Sequence, residues 1–227
     1  VQFSGPILFA GAHCDDVELF AGGLLARACR ASAKSGEEVG LLVLSDHRGV
    51  LSDADAARAR AELAANVDEL RAFGARIAVH GALADDVWLP ACRGDFDARR
   101  GRIYELFESL RDRYGTVVTH AIGDTNQDHA RVAEEARRAL KGHATVLGGE
   151  HPNNDVGEFR ASVYVALEED DVRAKQRWVA RYRSQQRDGR PYLDPDVIAA
   201  LARVRGSQIR APWAEAYEVL ARIVVRG

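Results

Sequence analysis

The feature that most restricts how this chain can fold is an alternation of short apolar runs with stretches of helical periodicity. Ile7 to Ala12, Val39 to Leu44, Arg76 to Val79, Thr116 to Ile122 and Ala144 to Leu147 read as strands. Helical patterns run between them: Val17 to Ala33, a stretch from Ser52-Asp53 to Gly74, Phe96 to Tyr114, and Asp128 to Leu140. The second of these buries Leu63, Val67, Leu70 and Phe73 at helical spacing before its glycine stop. Strands separated by helices of this length predict a parallel sheet with helices on both faces. Ligands in such sheets gather at the carboxyl ends of the strands. Polar residues collect there too. His13, His47, His80, the segment 120–126 and Glu150-His151 all stand at or just past the end of an apolar run.

The last third has a different texture. Phe159 to Leu167 alternates like a strand, and the acids from Glu168 to Asp171 precede a helix carrying Trp178, Val179 and Tyr182. Asp194-Pro195 is a cap followed by proline at the first helical position, opening a helix through Val204. Trp213 to Val225 closes the chain as helix or strand, and Ser184 to Tyr192 is expected to be a flexible loop. The expected fold is therefore α/β: a Rossmann-like parallel sheet flanked by helices, with a small C-terminal α+β extension. At 227 residues the chain suits a single domain, residues 1–150 forming the core and 151–227 the extension.

Composition removes several function classes. A net charge of -3 gives no electrostatic reason to bind nucleic acid or anionic membrane. No apolar run reaches the roughly 18 residues of a membrane span, and no signal-peptide pattern opens the sequence, so cytoplasm is the expected compartment. Cys14, Cys29 and Cys92 are odd in number and lack CxxC spacing. A disulfide framework or a four-cysteine zinc knot is not expected. The expected partner is a small molecule or glycoconjugate; a homo-oligomer is compatible with the sequence.

Two polar clusters carry the chemistry. The first, Ala12-His13-Cys14-Asp15-Asp16-Val17-Glu18, follows the first strand. In extended chain His13 and Asp16 would point to opposite faces. If the strand ends at His13 and turns through Cys14-Asp15 into a helix, both face the sheet's carboxyl edge. Asp16 then sits at the positive end of a helix dipole, which keeps it ionised. Asp15 is free to accept a proton, or else it is an N-cap that Glu18 completes as a capping box. Gly22-Gly23 reads as close helix–sheet packing.

In the second cluster, Gly123-Asp124-Thr125-Asn126-Gln127-Asp128-His129, Thr125 and Asp128 have capping-box spacing. That puts His129 in the first turn of a helix, pointing back toward the first cluster. With His13 and Asp16 it completes two histidines and a carboxylate around an open position, a set that suits Zn2+ and also Fe2+. Asp124 and Asp128 are placed to orient a ligand imidazole.

The run AHCDDVELFAGG followed by GDTNQDHARV resembles the LmbE-like/PIG-L-like family of metal-dependent N-deacetylases, whose pattern is AHPDD-x-E-x-x-x-GG and then DxHxDH. The likeness extends to Leu44-Ser45, to Glu150-His151-Pro152-Asn153 and to residues 214–217. It implies a Rossmann-like fold and zinc-dependent removal of an N-acetyl group from an N-acetylglucosamine-type glycoconjugate. It also implies metal ligation by His13, Asp16 and His129, with Asp15 as general base. Two positions depart from the pattern. Cys14 replaces a proline, either as a small residue in the turn or as a thiol within reach of the metal. Asn126 replaces a histidine and can donate a hydrogen bond to an oxyanion but cannot relay a proton. His151 is a candidate substitute acid, or a solvated loop residue.

Two rival readings remain: a nucleotide- or sugar-binding Rossmann-like protein without hydrolytic chemistry, and a metal-binding family member that has lost turnover. The absence of Gly-x-Gly-x-x-Gly after the first strand counts against dinucleotides.

Overall fold

The computed structural model describes residues 5–85, 88–91, 95–154, 159–186 and 189–222. They form a seven-stranded sheet of order β3-β2-β1-β4-β5-β7-β6. The strands are β1 (Ile7–His13), β2 (Glu38–Ser45), β3 (Arg76–Gly81), β4 (Thr116–His120), β5 (Thr145–Gly149), β6 (Val163–Leu167) and β7 (Trp213–Ala221). The first five are parallel, whereas β7 runs antiparallel to both β5 and β6. Residues 213–221, legible as helix or strand, are thus strand, and residues 223–227 lie outside the described residues. The C-terminal strands extend the same sheet.

Helices cover both faces, as the alternation predicts. They are α1 (Asp16–Ser35), α2 (Asp53–Ala72), α3 (Ala82–Asp85), α4 (Asp95–Ala98), α5 (Arg100–Leu110), α6 (Gln127–Leu140), α7 (Glu169–Arg181) and α8 (Pro195–Ser207). Every residue of β1 is buried, the mark of a central parallel strand. Its side chains alternate between two cores. Ile7 and Phe9 join α1, α2 and α7 on one face. Leu8, Ala10 and Ala12 join α5 and α6 on the other.

Local chemistry accounts for most boundaries. The Ser52 side chain accepts from the Asp55 amide, and Asp194 accepts from the Asp196 amide with Pro195 at the first helical position. Glu168 and Asp171 form a capping box at α7. Gly36 ends α1 at φ +74°, where a side chain would be strained. Four expectations are corrected. Phe73, expected on the buried side with Leu63, Val67 and Leu70, follows the last turn of α2 and is 52% exposed. The helix expected over Phe96 to Tyr114 is broken at Arg99 into α4 and α5. The strand expected from Phe159 begins only at Val163, where pairing with β7 starts. The loop expected to be flexible from Ser184 is packed at its start, since buried Ser184 donates its amide and Oγ to Glu62; residues 187 and 188 lie outside the described set.

Gly22 and Gly23 do allow a close approach, and the elements involved are now defined. A Cβ on Gly23 would collide with a Leu167 methyl of β6 and come within 3.2 Å of the Glu215 carboxyl carbon. In an open helix Gly→Ala gains about 1 kcal/mol of propensity. Overpacking here costs roughly 1–3 kcal/mol, so the collision wins. Gly23→Ala is therefore expected to lower stability by about 1–2 kcal/mol in urea unfolding; a gain would show that Leu167 yields freely.

Candidate metal centre

The chain passes from β1 outward to β2 and β3, then returns to place β4 on the other side of β1. This reversal is a topological switch point, where the carboxyl ends of neighbouring strands open a crevice. His13 ends β1 and His120 ends β4. The turn Cys14-Asp15 leads into α1 with Asp16 as its first residue, and α6 carries His129 in its first turn.

The donor atoms of His13, Asp16 and His129 converge at this crevice. His13 Nδ1 lies 3.2 Å from His129 Nε2 and 3.2 Å from Asp16 Oδ2, and His129 Nε2 lies 3.2 Å from Asp16 Oδ1. Tetrahedral ligands with bonds of 2.0–2.1 Å stand roughly 3.3–3.4 Å apart, so the spacing fits one zinc-sized ion. Protonation supports the same fit. His13 Nε2–H donates to Asp128 Oδ2 at 3.1 Å, and His129 Nδ1–H donates to Asp124 Oδ2 at 2.8 Å. Each imidazole thus turns a lone pair toward its neighbour, an arrangement that calls for a cation between them.

The electrostatics agree. Burial would raise the Asp16 carboxyl, but His129, His13 and His120 hold it well below the usual range. Burial opposes charge on His129, yet Asp16 and Asp124 lift its pKa to about 9, so the pocket favours positive charge at this point. A second trio, His120, Asp124 and His129, also clusters. In that trio His129 Nδ1 is engaged by Asp124, and His120 Nε2 accepts the Ala12 amide at 2.9 Å.

Asp15 stands at the N-cap position of α1, but its side chain makes no cap hydrogen bond. The capping-box alternative is thereby removed: Asp15 Oδ1 accepts instead from His47 Nε2–H at 2.8 Å, across the cluster from the loop that follows β2. Burial works to raise Asp15, and His47 pulls it below the carboxylate range. Glu18 turns away from the cap, taking hydrogen bonds from Asn66 and Tyr182, and burial pushes its pKa up to about 7. The Cys14 thiol points to the Ser45 carbonyl at 3.6 Å, and burial pushes its pKa well up, as for a small residue in a turn.

Asn126, not Thr125, caps α6. Its Oδ1 accepts the Asp128 amide at 2.9 Å, while Thr125 Oγ1 donates to the Asn154 carbonyl. Among the described residues the Asn126 Nδ2 group has no hydrogen-bond partner. Asn126 and His151 line one cavity of about 310 Å³ together with His13, Asp15, Asp16, His47, His129 and Tyr192. His151 is a buried wall residue of this cavity, not a solvated one. Its Nδ1 accepts from the Asn153 amide at 3.4 Å, and burial, with the charge on His129, lowers its pKa to about 4.

Among the cavity residues that carry no role in the sequence reading are His47 and Tyr192. His47 was visible as a histidine after a strand, but nothing local pairs it with Asp15. Tyr192 sits beyond α7 and meets His151 at 5.7 Å between ring centroids. Cys92 lies outside the described residues; Cys14 and Cys29 are free and buried.

No family model and no curated protein sequence matches the chain. Solved structures do. The N,N'-diacetylchitobiose deacetylase of Pyrococcus horikoshii aligns at TM-score 0.69 and 16% identity, over 94% of this chain and 83% of that one. A deacetylase of teicoplanin biosynthesis, solved with teicoplanin, aligns at 0.69 and 18% identity over 97% and 100%. The A40926 pseudoaglycone deacetylase aligns at 0.69 and 17% identity over 99% and 100%. This is the fold of those deacetylases. In the deacetylase fold of this chain, the donor trio stands at the switch-point crevice described above. Among the described residues no helix is long and apolar enough to cross a membrane.

Proposed function

We propose that the protein is a zinc-dependent hydrolase that removes an N-acetyl group from an N-acetylglucosamine-type glycoconjugate, releasing acetate and a free amine. The carrying observation is the convergence of His13, Asp16 and His129, with 3.2 Å between the two imidazole nitrogens and 3.2 Å from each of them to one or the other oxygen of Asp16. The likeness to deacetylases of N,N'-diacetylchitobiose, teicoplanin and the A40926 pseudoaglycone supports the substrate class. A cavity of about 310 Å³ is near the lower end of ligand-site sizes and suits one terminal acylated sugar.

His13, Asp16 and His129 would hold the ion. When bound, it supplies Lewis acidity that polarises the amide carbonyl and brings the pKa of water toward ~7. Asp15 is the base. Its Oδ1 is taken by His47, leaving Oδ2 to accept the proton of the attacking water. The Asn126 Nδ2–H group and a neutral His151 N–H are hydrogen-bond donors for the oxyanion. With its pKa at about 4, His151 fits that role better than storage of a transferable proton. The proton collected on Asp15 is then available to the departing amine.

His129→Ala is expected to abolish zinc binding in metal analysis of purified protein, and acetate release with it. A protein that binds one equivalent of zinc yet releases no acetate from a panel of N-acetylglucosaminyl substrates would favour the second reading, ligand binding without turnover. The observation behind that reading is Asn126, which has no proton to relay.

A further inference from the structure

His47 adopts a backbone conformation that residues with a Cβ seldom take, at φ +64°. The surrounding loop is built to keep it there. Fully buried Asp46 is gripped by Arg48 Nε and Nη2, each at 2.9 Å, and by Arg60. The His47 amide donates to Ser45 Oγ at 3.1 Å, and Ser45 Oγ donates to the Leu89 carbonyl at 2.6 Å. The amides of Val50 and Leu51 return to the His47 carbonyl at 3.1 and 3.0 Å. Above this frame the ring lies flat against His13, with centroids 4.4 Å apart and planes 14° from parallel.

We propose that His47 is the positioning residue for Asp15: it donates Nε2–H to Oδ1 and so presents Oδ2 to the cavity. The proposal rests on the reading of Asp15 as the base. A carboxylate turns about a broad torsional minimum, so its aim is set by its partners. The helix does not supply one, because Asp15 makes no cap hydrogen bond. The bond from the His47 ring, held in plane against His13, therefore decides which oxygen meets the substrate. Arg48 and Arg60 brace the loop through Asp46.

The test has two arms. In 15N-labelled, metal-free protein, ring-nitrogen correlation spectra should record His47 as the Nε2–H form. In Asp15→Ala that proton signal should be lost to solvent exchange. In the second arm, acetate release is compared for the parent, His47→Gly and His47→Gln. Glycine is chosen because it accepts the left-handed backbone without strain. His47→Gly should lower kcat roughly 10–100-fold, the range for losing a group that orients a site residue, with KM and zinc content unchanged. His47→Gln, whose amide N–H reaches a similar point, should recover most of that loss. A ring protonated on Nδ1, a His47→Gly variant with parental kcat, or a rate loss that merely tracks zinc loss each overturns the proposal. A parent protein that releases no acetate but shows the Nε2–H ring removes the hydrolase reading alone and leaves the His47–Asp15 contact supported.

Discussion

Asp15→Ala is expected to keep its zinc and to lose roughly 10²- to 10⁴-fold in kcat for acetate release. Asp15 is not one of the three donors that converge, so removing it leaves the His13–Asp16–His129 trio in place. What disappears is Asp15 Oδ2, among the described residues the one carboxylate oxygen lining the trio's cavity that neither faces the ion position nor carries a hydrogen bond. Asp15→Asn separates geometry from proton transfer. The amide keeps an oxygen acceptor of similar shape but does not take up a proton at working pH. The two variants should therefore fall together. Near-parental kcat in Asp15→Asn would mean that Asp15 only shapes the cavity, and the proton must then be taken elsewhere.

Glu215→Ala should have the largest effect on stability, about 3–5 kcal/mol, lowering the thermal midpoint by about 10 °C. The reason begins in α1, where Ala21 leaves helical geometry at φ -144° and ψ 19°. Just past that kink, the amides of Gly23 and Leu24 donate to Glu215 Oε1 and Oε2 at 2.9 and 2.7 Å. Lys175 Nζ and Tyr217 Oη complete the set at 2.8 and 2.7 Å. All of this is buried: Glu215 and Lys175 are each 5% exposed. Truncating the acid strands a buried ammonium and two backbone donors. The double variant Glu215→Leu/Lys175→Leu should recover part of the loss, because it removes the unpaired charge while leaving the two amides unsatisfied. If it is no more stable than Glu215→Ala, the amides and not the ammonium dominate.

The two motifs differ in how much of their geometry can be read locally. His13, Asp15 and Asp16 span four consecutive residues, and strand end, turn and helix start follow from the residues themselves. The register of α6 was harder by one residue. Thr125 and Asn126 are both cap types, and the choice fell to Asn126 because Thr125 Oγ1 is drawn to Asn154 across the loop. The break at Arg99 has no proline, and Gly101, the glycine nearest to it, lies within α5. Gly22-Gly23 indicated a close approach, but Leu167 and Glu215, its partners, lie far along the chain.

From the amino-acid order alone, the alternating elements and the carboxyl-edge location of the polar residues could be stated, and His13, Asp16 and His129 could be named as candidates. These rest on periodicity and on chemistry within a few residues, which survive whatever the rest of the chain does. Folding in three dimensions decided the rest: the His47 ring on Asp15, the Glu215 carboxylate on the kinked helix, and His151 as a buried wall of the cavity. Each of those contacts joins segments tens to hundreds of residues apart. Their geometry comes from sheet order and packing, which no local pattern encodes.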